Sequence, residues 1–144
     1  MTEPVLPVQN PNTYSPLALA FLGDAVYGLL VREHLLLCAN RPAGQLHTLS
    51  VQSVNARAQA NAAKVILPHL TEEELSVYKR GRNAHPGHTP KHQSEGDYHA
   101  ATGLESLFGW LYLQNRQDRL RALFDSILHA EAEALEQKNG EQDK

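Results

Sequence analysis

Two acidic residues stand in segments that are otherwise apolar, where an ionisable side chain is costly. Asp24 lies in ALAFLGDAVYGLLV and Glu105 lies in ATGLESLFGWLYL. Helical spacing would place each acid on a face of apolar residues and glycines, with no basic residue within one turn of Glu105. A carboxylate committed to such surroundings loses free energy unless a cation or hydrogen-bond donors compensate it. The pattern therefore suggests that both acids bind one shared cation.

Glycines accompany both acids. Gly23 precedes Asp24, and Gly109 follows Glu105 by one helical turn, so two helices could approach closely and bring the carboxylates together. Ligands that are all oxygen favour Mg²⁺ or Mn²⁺ over zinc. The alternative is structural: each acid caps a neighbouring helix or pairs with an arginine elsewhere. Two such acids, each with a nearby glycine, favour the cation.

Hydrophobic spacing predicts an all-α protein. We expect helices over Leu17–Leu37, Gln45–Leu67, Glu72–Gly81, Asp97–Leu113 and Arg116–Leu135. Ser15 and Thr71 are predicted N-caps, and Pro16 suits a first helical position. The first helix is apolar on nearly every face, which predicts burial at the centre of a bundle. We find no strand pattern or repeat, and expect one domain over 1–144, with a core of about 15–135 and a polar C-terminal tail.

The charge distribution points to a local basic patch. The formal net charge is −3, but much of the acid lies in 131–144. One short segment carries Lys79, Arg80, Arg82 and Lys91 with no acid before Glu95, which favours binding of a polyanion. Helix-dipole complementation alone is the alternative for Arg80 and Arg82.

The predicted surface loop 83–95 contains His85, His88 and His92. These histidines could be solvated, could contact phosphates, or could bind zinc, although no cysteine lies nearby and their spacing fits no standard zinc site. The single cysteine, Cys38, and the lack of a leader-like or membrane-spanning segment predict a cytoplasmic protein.

The acidic and basic motifs together resemble a known family. FLGDAVYGLLV resembles the signature helix of ribonuclease III, and ATGLESLFGWLYL is similar to that family's second acidic helix. The KRGRNAH segment resembles the small branch called Mini-ribonuclease III. The resemblance runs from about Leu17 to Leu128 and leaves no room for the double-stranded-RNA-binding domain of larger members.

The resemblance implies a metal-dependent endoribonuclease specific for double-stranded RNA, which leaves 5′-phosphate and 3′-hydroxyl ends. It implies that Asp24 and Glu105 are the catalytic, metal-binding carboxylates, with Mg²⁺ as cofactor and Mn²⁺ as substitute. The fold would be a ribonuclease III helical bundle that forms a homodimer. The substrate would be precursor large-subunit (23S) ribosomal RNA, with an accessory ribosomal protein as a further candidate partner. The implied RNA-binding residues are Lys79, Arg80, Arg82, Asn83 and Lys91.

Two positions depart from the larger enzymes. Ala20 and Thr102 stand where those enzymes carry acids, as is typical of the mini branch, so we expect one ion per site and leave a second open. The same departures motivate an alternative function, a non-catalytic RNA-binding or ribosome-assembly protein with this fold. A helical dimerisation module is a third interpretation, but it leaves the two acids and the basic segment unexplained. Tyr27, Trp110 and Tyr112 are expected in core or dimer contacts.

Overall fold

A computed structural model describes residues 10–84 and 94–142. This part of the chain is helical, with no strand, so the all-α prediction is confirmed. Short 3₁₀ turns cover Pro11–Thr13 and Leu67–His69. The helices are α1 Pro16–Cys38, α2 Ala43–Val54, α3 Ala56–Ile66, α4 Glu72–Arg82, α5 Glu95–Leu113 and α6 Gln117–Gln142.

Both predicted N-caps are present. The Ser15 side chain accepts a hydrogen bond from the Ala18 amide, and Pro16 is the first residue of α1. Thr71 forms a capping box with Glu74, since each side chain accepts from the other residue's backbone N–H. These bonds satisfy amides that have no partner within the helix. The beginnings of α1 and α4 thus follow from local sequence.

Two predicted boundaries are wrong. The helix predicted over Gln45–Leu67 is two helices, because Asn55 leaves helical geometry and its side chain accepts from the Ala58 amide as the N-cap of α3. The last helix does not end near Leu135 but continues to Gln142. Its final turns have no Pro and few poor helix formers, which is compatible with a helix that has no core contacts.

The centre of the bundle is α5, which packs against α1, α3, α4 and α6. Leu104, Leu107, Phe108 and Leu111 of α5 are fully buried. The prediction that α1 is central is wrong in one respect: α1 packs on α5, but it leaves an apolar face exposed. Phe21, which is 85% exposed, and Leu29, which is 62% exposed, lie on this face. No helix in the described ranges is both long and apolar enough to span a membrane.

Candidate active site

The fold brings Asp24 of α1 and Glu105 of α5 together, although 80 residues separate them in sequence. Their carboxyl groups are hydrogen-bonded to each other. The Asp24 side chain is exposed and Glu105 is partly exposed, so solvent and ligands can reach the pair. The predicted meeting of the two acids is confirmed, but the predicted burial of Asp24 is wrong.

Two glycines explain how the carboxylates come so close. A Cβ atom at Gly23 would overlap the backbone carbonyl oxygen of Glu105, and one at Gly109 would overlap the carbonyl oxygen of Leu19. Helices α1 and α5 therefore touch backbone to backbone at this level. Most packed helices have side chains between them, which keep their axes about 8–10 Å apart. The sequence pattern of an acid beside each glycine correctly indicated this contact.

The electrostatics of the pair are unfavourable without a cation. Burial, the hydrogen bond with Asp24 and the charge of Asp24 together raise the pKa of Glu105 from 4.5 to about 9. Two like charges this close cannot both ionise at low cost, so the pair holds a proton near neutral pH. A bound divalent cation would reverse this preference, because it stabilises both carboxylates in their charged form.

The flanking positions add no further acid. Ala20 is buried, and the Thr102 hydroxyl donates to the Tyr98 carbonyl oxygen at 2.9 Å within its own helix. In residues 10–84 and 94–142 no group of three or more His, Cys, Asp or Glu side chains could hold a metal ion. From the described residues of one chain, Asp24 and Glu105 are therefore the two carboxylates available to an ion at this site.

The basic end of α4 packs against α5 at Gly103 and Ser106, which are close to Glu105 in sequence. A Cβ at Gly81 would collide with the side chain of Ser106 and would come within 3.0 Å of the Cα of Gly103, and these two residues flank Glu105 on α5. Around Gly81, the side chains predicted to meet RNA are exposed: Lys79, Arg80, Arg82 and Asn83. Lys91, His85, His88 and His92 lie outside the described residues.

Sequence reasoning missed Ser106, which ties the site to the first turn of α1. Its hydroxyl donates to the Pro16 carbonyl oxygen at 2.8 Å, which links α5 to α1 beside Glu105. A small polar residue next to a candidate metal ligand was the available signal.

The three aromatic residues expected in core or dimer contacts have different environments. Tyr27 and Trp110 are buried in the core, whereas Tyr112 is 43% exposed.

An all-helical bundle with an accessible carboxylate pair and an exposed basic helix end is an arrangement that suits a nuclease. A family model described as the ribonuclease III domain matches residues 17–116. The chain belongs to the ribonuclease III family. It is an endoribonuclease, a hydrolase of a family that acts on double-stranded RNA.

Curated relatives agree with this assignment, and a solved structure shares the fold. The chain is 46% identical to a Mini-ribonuclease 3 from Brevibacillus brevis over 78% of this chain and 84% of the relative. It is 42% identical to one from Symbiobacterium thermophilum over 88% and 95% of the two chains. A crystal structure of a Fusobacterium nucleatum protein is 29% identical, with a TM-score of 0.76, and the match covers 85% of this chain and 98% of that one.

Proposed function

We propose that Asp24 and Glu105 are the catalytic residues and hold Mg²⁺, with Mn²⁺ able to substitute. The observation that carries this proposal is the meeting of two accessible carboxyl groups. Burial of Glu105, together with its hydrogen bond to Asp24 and the charge of Asp24, raises the pKa of Glu105 to about 9. Mg²⁺ is commonly held by one or two carboxylates, waters and substrate phosphates, so this donor set fits the ion. The same donors, being hard oxygens, do not favour zinc.

Cleavage is the hydrolysis of a phosphodiester. Water adds to phosphorus, the bond from phosphorus to the 3′ oxygen breaks, and the 3′ oxygen takes up a proton, which leaves 5′-phosphate and 3′-hydroxyl ends. When bound, Mg²⁺ supplies a Lewis acid for the phosphate and lowers the pKa of a coordinated water. Asp24 and Glu105 would hold the ion, and Glu105 must release its proton before both carboxylates can do so.

The exposed end of α4 supports binding of the RNA backbone. Gly81 fixes this end of α4 against Ser106 and Gly103 of α5, and the exposed side chains adjoining Gly81 in sequence are Lys79, Arg80, Arg82 and Asn83. Arginine and lysine side chains at such a position would hold phosphates at a constant distance from the carboxylates. Duplex RNA offers regularly spaced phosphates and 2′-hydroxyls, so helix shape can be recognised with few base contacts. Lys91 completes the proposed set.

The exposed apolar face of α1 supports a homodimer. Leu17, Phe21 and Leu29 are exposed at 39%, 85% and 62%, and Asp24 lies on the same helix between Phe21 and Leu29. An isologous two-fold contact through this face would bury these side chains and bring two carboxylate pairs near the interface. Two sites so related would each face one strand of an RNA duplex.

Precursor large-subunit (23S) ribosomal RNA is the substrate that we propose, because several relatives are named Mini-ribonuclease 3 and the motif resemblance implies this role. This substrate would place the enzyme in the cytoplasm, where a ribosomal protein could present the RNA.

The decisive experiment is cleavage of a labelled RNA duplex by the wild type, Asp24→Asn and Glu105→Gln, in Mg²⁺ and in EDTA. Single-stranded RNA and duplex DNA serve as controls. We expect cutting of duplex RNA alone, lost with either substitution and with EDTA. Duplex binding without cutting in any metal would favour the non-catalytic RNA-binding function that Ala20 and Thr102 suggest.

A further inference from the structure

Arg32 is an exposed arginine on the same line of α1 as Asp24, since residues 24, 28 and 32 are separated by single helical turns. Two arginines of α6 are paired: Arg119 bonds Glu74 and Arg121 bonds Glu33. Arg32, in contrast, has no hydrogen bond or ion pair with any residue of the described ranges. Its charge is therefore available to a ligand.

The guanidinium of Arg32 lies over Gly28. Its Nη1 atom is 2.8 Å from the position that a Cβ would take at Gly28, and no other side chain comes within 4 Å of that position. Helical side chains lean towards the N-terminus, so the guanidinium is directed along α1 towards Asp24. Cβ positions one turn apart are separated by about 5–6 Å. Arg32 thus comes within about one turn of the carboxylate pair without bonding to it.

A free guanidinium at this distance has a clear chemical use. The planar fork of arginine binds phosphate oxygens in pairs and keeps its charge at all relevant pH values. The nearest acid in sequence, Glu33, is engaged by Arg121 and does not compete for it. A phosphate held by the carboxylate pair and its cation would lie at the N-terminal side of Arg32, and the RNA strand continues past that point.

We propose that Arg32 binds a backbone phosphate of the RNA strand being cut, next to the carboxylate pair, and that Gly28 provides the space in which it does so. This inference rests on the proposed function. It adds a substrate contact on α1 to those proposed on α4.

The test compares single-turnover cleavage of an RNA duplex in Mg²⁺ by the wild type, Arg32→Gln, Arg32→Lys and Gly28→Leu, across a range of salt concentrations. Arg57→Gln is the matched control, because Arg57 is also exposed and has no polar partner in the described ranges. Melting curves verify that each variant is folded, and sedimentation reports its oligomeric state. Gly28→Leu keeps the arginine and improves helix propensity, but fills the space under the guanidinium.

Loss of a hydrogen-bonded charge contact predicts that kcat/KM of Arg32→Gln falls by about 10- to 100-fold. Its salt dependence should flatten by about one phosphate contact. Arg32→Lys should retain part of the activity, Gly28→Leu should share the defect, and Arg57→Gln should equal the wild type. Unchanged kcat/KM and salt slope in Arg32→Gln would overturn the proposal, as would a defect that coincides with dissociation of a dimer. If the wild type does not cleave the duplex, the proposed function fails and this inference fails with it.

Discussion

The burial of Glu105 and its contact with Asp24 make stability depend on pH. Because the pKa of Glu105 is about 9 in the folded chain, against 4.5 ordinarily, the folded state keeps a proton that the unfolded chain releases. Stability therefore falls as pH rises from about 4.5 to about 9. In EDTA we expect Glu105→Gln to reduce this pH dependence and to raise Tm at pH 8 by about 3 °C, which corresponds to about 1 kcal/mol.

Thermal melts of wild type and variant at several pH values measure this effect. Mg²⁺ should raise the Tm of the wild type and leave Glu105→Gln almost unchanged, since a ligand stabilises only the state that binds it. Glu136→Gln, on the exposed end of α6, is the matched control and should melt like the wild type. Equal pH dependence in wild type and Glu105→Gln would contradict a shared proton.

For single residues, the sequence pattern singled out both carboxylates, but it predicted the wrong environment for Asp24. An acid in an apolar segment was interpreted as buried, whereas Asp24 lies on the exposed face of α1. Composition cannot distinguish a core face from an apolar surface, because both use the same residue types. Arg32 illustrates the same limit: whether an arginine is paired depends on residues distant in sequence, such as the contact of Arg121 with Glu33.

Among the helices, the approach of α1 to α5 is the contact on which the site depends. A methyl group at Gly23 would meet backbone atoms of Glu105. Unlike the end of a flexible side chain, these atoms cannot move aside. Gly23→Ala should therefore destabilise the protein by at least about 1–3 kcal/mol and abolish cleavage. Gly96→Ala is the control, since a Cβ there meets nothing within 4 Å. This substitution should keep or slightly raise the free energy of unfolding. Urea titration gives both values, and an unperturbed Gly23→Ala would contradict the close backbone contact.

The ion pair between Glu74 and Arg119 holds α4 against α6. Burial disfavours the Glu74 carboxylate, but hydrogen bonds from Arg119 and the Thr71 amide outweigh it and lower its pKa below the ordinary value. Glu74 therefore contributes stability above its ordinary pKa, and this contribution is lost as pH falls. Arg119→Met should cost about 3–5 kcal/mol at pH 7, because it leaves a fully buried charge unpaired.

A second substitution separates the charge from the packing in this pair. Glu74→Gln in the Arg119→Met background removes the unpaired charge and keeps a side chain that can form the capping box. We expect the double variant to recover much of the lost stability in urea titrations at pH 7. If it is no more stable than Arg119→Met alone, the cost arises from lost packing of Arg119 and not from the charge of Glu74.

Helix boundaries were predictable where an N-cap residue precedes a clear first turn. They were missed where one helix follows another directly, as α3 follows α2. Ser15 and Thr71 stand before clear apolar or acidic first turns, and both cap as predicted. Asn55 lies within continuous helical spacing, so the period alone favoured one helix over Gln45–Leu67. The break depends on its side chain, which accepts from Ala58 and donates to the Val51 carbonyl oxygen. The helix propensity of asparagine is similar to that of many other residues. Whether Asn55 continues a helix or begins a new one is therefore decided by the geometry of the bundle.

For the whole molecule, the all-α class and the order of its motifs were predictable, because helical periodicity persists along most of the chain. Which helix is central was not predictable from the sequence. Helix α5 carries several of the fully buried side chains, while α1, which is also apolar, packs on it with one side and exposes the other. Helices that are apolar on all faces suit both a core and an interface between chains, so the sequence could not separate burial within the chain from burial between two copies.

Substitutions on the exposed face of α1 test the proposed homodimer. Phe21, 85% exposed, would be buried in a two-fold dimer, so Phe21→Asp should place a charge in an apolar interface and shift the protein to monomer in sedimentation equilibrium. Leu135→Asp is the matched control, since Leu135 is 63% exposed near the far end of α6 and its substitution should leave the assembly unchanged. The Phe21→Asp monomer should keep its helical circular dichroism but lose paired cutting of the two strands, because each chain carries one carboxylate pair. A wild type that sediments as a monomer would refute the two-fold arrangement, and cleavage would then have to proceed one strand at a time.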